Sequence, residues 1–187
     1  MSEIISMLKR DLKHFYLKKI KHYTEREIYI SHLRKVGMEI GEECYIFSDK
    51  IETAEPYLVK LGDHVTISAN VMFATHDASA NFYLEDTSDI YGRINIGDYV
   101  FIGMGVVVLP GVTIANRCII AAGAVVTKSF LEEGVVIGGN PARVIGRVSD
   151  LKEKNKYRKL MTWGMSFEEK KHYLLKNEKL FKSHSFR

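Results

Sequence analysis

Residues 90–126 read IYGRINIGDYVFIGMGVVVLPGVTIANRCIIAAGAVV, and an aliphatic residue returns in them every six positions: Ile90, Ile96, Ile102, Val108, Ile114, Ile120 and Val126. Four positions after most of these stands a second small or aliphatic residue: Val100, Val106, Val112, Cys118 and Ala124. Tight-turn residues follow directly at Gly97, Gly103, Ala115 and Ala121. A helix repeats every 3.6 residues and a half-buried strand every two, so a period of six fits neither. It is the signature of a parallel β-helix, in which each unit is one short strand and one corner. Small residues let the corner turn without a Cβ clash.

Upstream, the repeat begins near Ile40-Gly41 and Ile46, breaks from Asp49 to Tyr57, and resumes at Leu61-Gly62, Ile67-Ser68 and Phe73-Ala74. Pro56 must lie at an edge or corner, because it cannot donate to a sheet ladder. Residues 78–93 (ASANFYLEDTSDIYGR) are polar and aperiodic and read as a loop thrown out from the coil. A loop of that length is uncommon unless functional. The coil returns at Ile94 and runs to about Val148. The organisation expected is an N-terminal helical segment over 1–36, a β-helix domain over 37–148 with its loop at 78–93, and a C-terminal helical cap over 149–187.

In the N-terminal segment Ile4, Ile5, Leu8, Leu12, Phe15, Tyr16 and Ile20 recur at helical spacing. The other face carries Lys9, Arg10, Lys13, Lys18, Lys19 and Lys21. Two readings stand: a solvated basic face on a helix packed against the body, or peripheral contact with a membrane surface or anionic polymer. At the other end Ser166 followed by Glu169 forms a capping box that opens a final helix, with Phe167, Tyr173, Leu174 and Leu175 as its apolar side. Covering the open ends of a β-helix is the plain role for both terminal segments.

The bulk numbers narrow the class. The 187 residues fit one domain with helical appendages. A net charge of +4, from 27 Lys and Arg against 23 Asp and Glu, gives no case for nucleic acid. The two cysteines, Cys44 and Cys118, supply neither a metal spacing nor a disulfide framework, and Cys118 falls on an inward repeat position. Lys9, Arg10 and Lys13 interrupt any signal-peptide core, and no stretch reaches the ~18 apolar residues of a membrane span. The expected setting is the cytoplasm.

From His76 onward the chain resembles a known family. The run VFIGMGVVVLPGVTIANRCIIAAGAVVTKSFLEEGVVIGGNPARVI at 100–145 is similar to hexapeptide-repeat acetyltransferases, in the branch of maltose, galactoside, capsular and lipopolysaccharide O-acetyltransferases. Glu-Pro-Tyr-Leu at 55–58, Leu-Gly-Asp-His-Val-Thr-Ile-Ser at 61–68 and Thr-His-Asp at 75–77 resemble its polysaccharide-modifying members. The likeness covers roughly residues 40–148. It implies an all-β main body, a left-handed parallel β-helix with three hexapeptides per triangular coil, assembled as a homotrimer. The usual preference for right-handed crossovers argues for the other hand; the resemblance is what sets it.

The resemblance also implies the chemistry. Acetyl transfer from acetyl-CoA to a hydroxyl of a sugar or surface glycan needs a base, and histidine titrates near working pH. His14, His22 and His32 lie in the N-terminal segment and His172 and His184 in the tail; the coil holds His64 and His76. His64 follows Gly62-Asp63 at a corner and reads as solvated. His76 matches the family's catalytic histidine, as a general base in direct attack on the thioester. Asp77 points to the opposite side of its strand from His76 and is suited to fixing the loop. A carboxylate to hold the imidazole would come from the neighbouring coil. Glu55 is the nearest, against the plain reading of a surface Glu before a proline corner. Glu55, Asp77 and Asn81 are the candidates for acceptor contact.

Phe101-Ile102-Gly103 stands where the family has Trp-Ile-Gly, so Gly103 and Met104 are expected to offer backbone groups to the pantetheine or thioester carbonyl. Ala122 belongs to Ala121-Ala122-Gly123, which matches a Gly-Ala-Gly. Thr127 and Lys128, with Arg143 in Asn140-Pro141-Ala142-Arg143, match the segments that meet the cofactor's far end, where Lys128 and Arg143 would pair with phosphates. Gly146 replaces a basic residue of some relatives, and Arg147 follows it. No metal is expected. The rival readings are a metal enzyme of the carbonic anhydrase type, which needs about three converging histidines, a non-catalytic β-helix scaffold, and N-acetylation of an amino-sugar nucleotide.

Overall fold

The computed structural model describes residues 16, 24–47, 51, 53–156 and 159–182. The basic face at Lys9, Arg10, Lys13, Lys18, Lys19 and Lys21, and the membrane contact read from it, lie outside them.

The repeat folds as short parallel strands stacked on three faces. The first face holds β1 (Glu39–Ile40), β3 (Val59–Leu61), β8 (Ile94–Ile96) and β11 (Thr113–Ile114). The second holds β2 (Tyr45–Ile46), β4 (Thr66–Ile67), β9 (Phe101–Ile102), β12 (Ile119–Ile120) and β14 (Val135–Gly139). The third holds β5 (Met72–Phe73), β10 (Val107–Val108) and β13 (Val125–Val126). A full turn takes 18 residues where the repeat is unbroken: Ile96 pairs with Ile114, Ile102 with Ile120, and Val108 with Val126. The six-residue aliphatics thus stack into one core. Ile67, Phe73, Ile102, Val108, Ile120 and Val126 have no solvent exposure, and the second series, Val100, Val106, Val112, Cys118 and Ala124, is buried with them. Each Val or Ile buried in this way stabilises by roughly 1.5–3 kcal/mol, so the repeat itself supplies the fold's driving force.

Ile90 keeps the six-residue phase but not the structure. It is 43% exposed and lies in an excursion outside the coil. The stack passes directly from Phe73 to Val108. The chain between leaves the prism at the edge joining the third face to the first. That excursion is not a bare loop: β6 (His76–Asp77) pairs antiparallel with β7 (Ile90–Tyr91), and a 3-10 turn over Ala78–Phe82 buries Ala80. The chain can rejoin the coil because residue 92 is glycine. A Cβ there would run into the backbone of the Pro110-Gly111 turn one coil on.

The coil also ends earlier than the periodicity predicts. β14 turns back through Asn140-Pro141 into an antiparallel β15 (Ala142–Arg147), a hairpin and not a further coil. At the opposite end α1 (Glu25–Lys35) opens on a Thr24–Glu27 capping box, and Arg34 donates to the carbonyls of Ile40 and Gly41 in the first coil. Pro56 starts a 3-10 turn at Pro56–Leu58.

The described chain divides into two compact units, 1–148 and 149–187. In the second, α2 (Val148–Asn155), which begins at the boundary, is followed by α3 (Phe167–Lys176) and a short α4 (Lys179–Lys182). Ser166 and Glu169 form the expected reciprocal cap at the start of α3. Among the described residues no helix is long and apolar enough to cross a membrane.

Candidate active site

His76 sits where the chain leaves the third face, its side chain 36% exposed. Its Nδ1 lies 2.9 Å from Glu55 Oε2, and the Glu55 side chain is only 15% exposed. The same Glu55 oxygen accepts a hydrogen bond from the Thr75 hydroxyl. Thr75 is buried, and a buried hydroxyl left without a partner costs roughly 1–3 kcal/mol; Glu55 removes that cost. The 3-10 turn at Pro56–Leu58 directs Glu55 inward, so this is no surface glutamate before a proline corner. The network has a clear electrostatic sense. Hydrogen bonds from Thr75 and then His76 hold the Glu55 carboxyl below its usual range. The bond to Glu55, with the further carboxylates Asp89 and Asp77, pushes the His76 imidazole above its usual value against the effect of burial. With Nδ1–H held by a carboxylate, Nε2 of neutral His76 carries the free lone pair.

Asp77 does not touch this pair. Its Oδ1 accepts from Ser79 N–H at 2.9 Å and caps the 3-10 turn, and hydrogen bonds from the Ser79 hydroxyl and then its N–H lower the Asp77 pKa. Asn81 stands exposed on the same turn. Thr75 and Tyr91 were not singled out by the sequence. Thr75 carries a signal only in retrospect, as a hydroxyl beside the histidine at an inward position. Tyr91 carries none, because its pairing with His76 exists only once the excursion folds back.

The residues expected at the cofactor are split between that edge and other parts of the coil. Gly103, Met104 and Ala122 line the edge between the second and third faces. Gly103 N–H donates to the Ile120 carbonyl at 2.8 Å, so it is committed to the ladder and not free as an oxyanion donor. What Gly103 supplies is space, since a Cβ there would lie 2.5 Å from Ala122 N. The Met104 carbonyl accepts from Gly123 N–H, and the residue is 58% exposed. Thr127 and Lys128 are exposed at the edge between the third and first faces, the edge His76 occupies. The Lys128 ammonium stands 5.9 Å from the centre of the Phe130 ring. Arg143 is exposed on β15, opposite Gly138. Arg147 is held by Glu132 and is not a free replacement for a basic residue at 146.

His64 does not converge with His76. It sits at the edge between the first and second faces, stacked on Tyr99 at 4.3 Å and paired with Glu43. Among the described residues no group of three or more His, Cys, Asp or Glu is placed to hold a metal ion.

Residues 93–128 match the bacterial transferase hexapeptide family (six repeats). The chain is 38% identical over 168 residues to Protein CapG of Staphylococcus aureus, covering 88% of this chain and 95% of that one. It is 33% identical over 136 residues to galactoside O-acetyltransferase of Escherichia coli K12, covering 72% of this chain and 64% of the relative. Among solved structures it is similar to a maltose O-acetyltransferase from Clostridium difficile 630, at a TM-score of 0.55 and 28% identity, over 66% of this chain and 76% of that one. Stacked hexapeptide coils and a relative matched along nearly its whole length lead to one conclusion: the chain belongs to the hexapeptide-repeat transferase family and is an acyltransferase of its acetyltransferase branch.

Proposed function

We propose that the protein transfers the acetyl group of acetyl-CoA to a hydroxyl of a sugar or surface glycan, with His76 as general base. The observation that carries this reading is the Thr75–Glu55–His76 network, which holds an exposed imidazole with one nitrogen occupied and the other free. His76 Nε2 takes the proton of the acceptor hydroxyl as its oxygen attacks the thioester carbonyl. The tetrahedral oxyanion then collapses, the C–S bond breaks, and the leaving thiolate recovers the proton from the imidazolium. Glu55 stabilises the imidazolium while it exists. The names of the galactoside and maltose relatives support a sugar acceptor.

Lys128 and Arg143 are proposed to bind the cofactor's phosphates, and Gly103, Met104, Ala122 and Thr127 to line its path. His76 and the Gly103–Ala122 column border opposite sides of the third face. One prism therefore cannot present them to the same thioester, and a homotrimer with the hand of its relatives, left-handed, brings the two edges of adjacent chains together. Exposed outward residues support this: Met72 on the third face and Tyr45 and Phe101 on the second, against a first face of Glu39, Lys60, Asn95 and Thr113. An acetyl-CoA donor sets the reaction in the cytoplasm. The test is release of free thiol from acetyl-CoA that depends on added glycoside and yields an ester. Thiol release that no glycoside stimulates would contradict the acceptor.

A further inference from the structure

The excursion brings an aromatic ring to the base. Tyr91 lies directly opposite His76 in the antiparallel ribbon, and Gly92 N–H donates to the Thr75 carbonyl at 3.0 Å. This is the narrow, non-hydrogen-bonded kind of pair, in which side chains come closest. The two ring centres are 5.7 Å apart with a tilt of 43°. Tyr91 is nevertheless 56% exposed, as is Tyr57 from the segment that supplies Glu55. Neither ring fills the core. The Tyr91 phenol adjoins the Asp89 carboxylate, which with burial and Glu55 keeps it protonated above its ordinary range.

An exposed aromatic face fixed beside a general base can stack the C–H face of a pyranose and set one ring hydroxyl toward the imidazole. The surrounding charge then selects among sugars. Glu55 touches His76, Asp77 is its chain neighbour, and Asp89 directly precedes Ile90, the ribbon partner of Asp77, so three carboxylates gather around the imidazole. A carboxylate or phosphate on the reacting sugar would meet like charge at close range, which interfaces use to reject wrong partners. Resting on the sugar-acceptor reading above, we propose that Tyr91 is the stacking platform of the acceptor site and that the reacting unit is an uncharged pyranose, with Asp89 discriminating against acidic sugars.

The experiment compares p-nitrophenyl β-D-glucopyranoside with p-nitrophenyl β-D-glucuronide as acceptors for acetyl-CoA, in the wild-type protein and in Tyr91→Ala, Tyr91→Phe and Asp89→Asn. The glucoside is expected to show the higher kcat/KM, and Asp89→Asn to narrow the gap. A preference due only to a missing hydroxyl on the glucuronide would not respond to Asp89→Asn. Tyr91→Ala is expected to raise the glucoside KM by about three- to tenfold, the size of one lost aromatic contact, with the acetyl-CoA KM unchanged and Tyr91→Phe close to wild type. A preference for the glucuronide, a gap unmoved by Asp89→Asn, or a Tyr91→Ala enzyme as active as wild type overturns the platform alone. Acetylation of neither glycoside overturns the sugar acceptor and the platform together.

Discussion

Glu55 Oε2 lies 2.9 Å from His76 Nδ1, across 21 residues of chain. The pairing depends on the break in the repeat at 49–57, which lets the Pro56–Leu58 turn aim Glu55 at the next coil. Its consequence for pH has a definite sign. Glu55 raises the His76 pKa, so the free base needs a higher pH than an ordinary imidazole. The acid limb of kcat/KM is therefore expected above the unperturbed value of about 6.5. In Glu55→Gln that limb moves to lower pH, while the plateau falls by about tenfold or more as the ring loses its orientation. A pH–rate profile of the two proteins checks this, and an unmoved limb would contradict it.

The same pair contributes to stability in a bounded window. Glu55 is depressed, so its contribution is present above the unfolded carboxylate value and is lost as pH falls through the folded one. His76 is raised, so its contribution is complete below the unfolded imidazole value and is lost as pH rises through the folded one. The Tm difference between wild type and Glu55→Gln is therefore expected to be largest between about pH 4.3 and 6.5. Calorimetric scans at several pH values measure it.

Gly92 fixes where the excursion rejoins the coil, and so where Tyr91 stands. Its Cβ would meet the backbone of the Pro110-Gly111 turn, with the Pro110 carbonyl carbon at 2.7 Å. Gly92→Ala is expected to cost about 1–3 kcal/mol, a Tm loss of about 2–12 °C for a chain of this size, and to lower turnover as well. Gly105→Ala is the control. It has open space around it but a φ of +68°, so its cost of about 1–2 kcal/mol is one of backbone conformation alone, and its turnover should stay near wild type.

Arg143→Ala is expected to raise the KM for acetyl-CoA, with a smaller effect on the acceptor KM. One charge-assisted hydrogen bond is worth roughly 1.5–3 kcal/mol, which corresponds to about a 10- to 100-fold change. Lys128→Ala should act in the same direction. Steady-state kinetics with each substrate varied in turn separates the roles; a rise confined to the acceptor KM would refute them.

The division of the proposed site between the His76 edge and the Gly103–Ala122 edge predicts a solution mass near three times the 21.4 kDa chain. It also predicts partial recovery of activity when His76→Ala and Arg143→Ala chains are mixed and reassembled. Sedimentation and a mixing assay test both. A fully active monomer would overturn the shared site.

The core was legible in the sequence because each coil repeats the last. Val100 through Ala124 and Ile96 through Val126 report their burial by position alone. Where the chain departs from periodicity, legibility fails. Ile90 keeps the phase and lies outside the coil, since six-residue spacing cannot tell a coil strand from a ribbon strand. Residues 135–147 look like further coil and form a hairpin, because an antiparallel return needs only a turn at Asn140-Pro141 and leaves the aliphatic pattern intact. His76 could be singled out through its resemblance to the family. Its Thr75 and Tyr91 neighbours could not, because one depends on a carboxylate 20 residues away and the other on the folding of the excursion.

The role proposed for His76 is removal of the acceptor's proton. The most direct measurement is the turnover of His76→Ala together with its affinity for coenzyme A by isothermal titration. Loss of a general base lowers the rate by about 10²–10⁴, so turnover should fall by that factor while coenzyme A binds as tightly as to wild type. A turnover number unchanged from wild type would rule His76 out as the base.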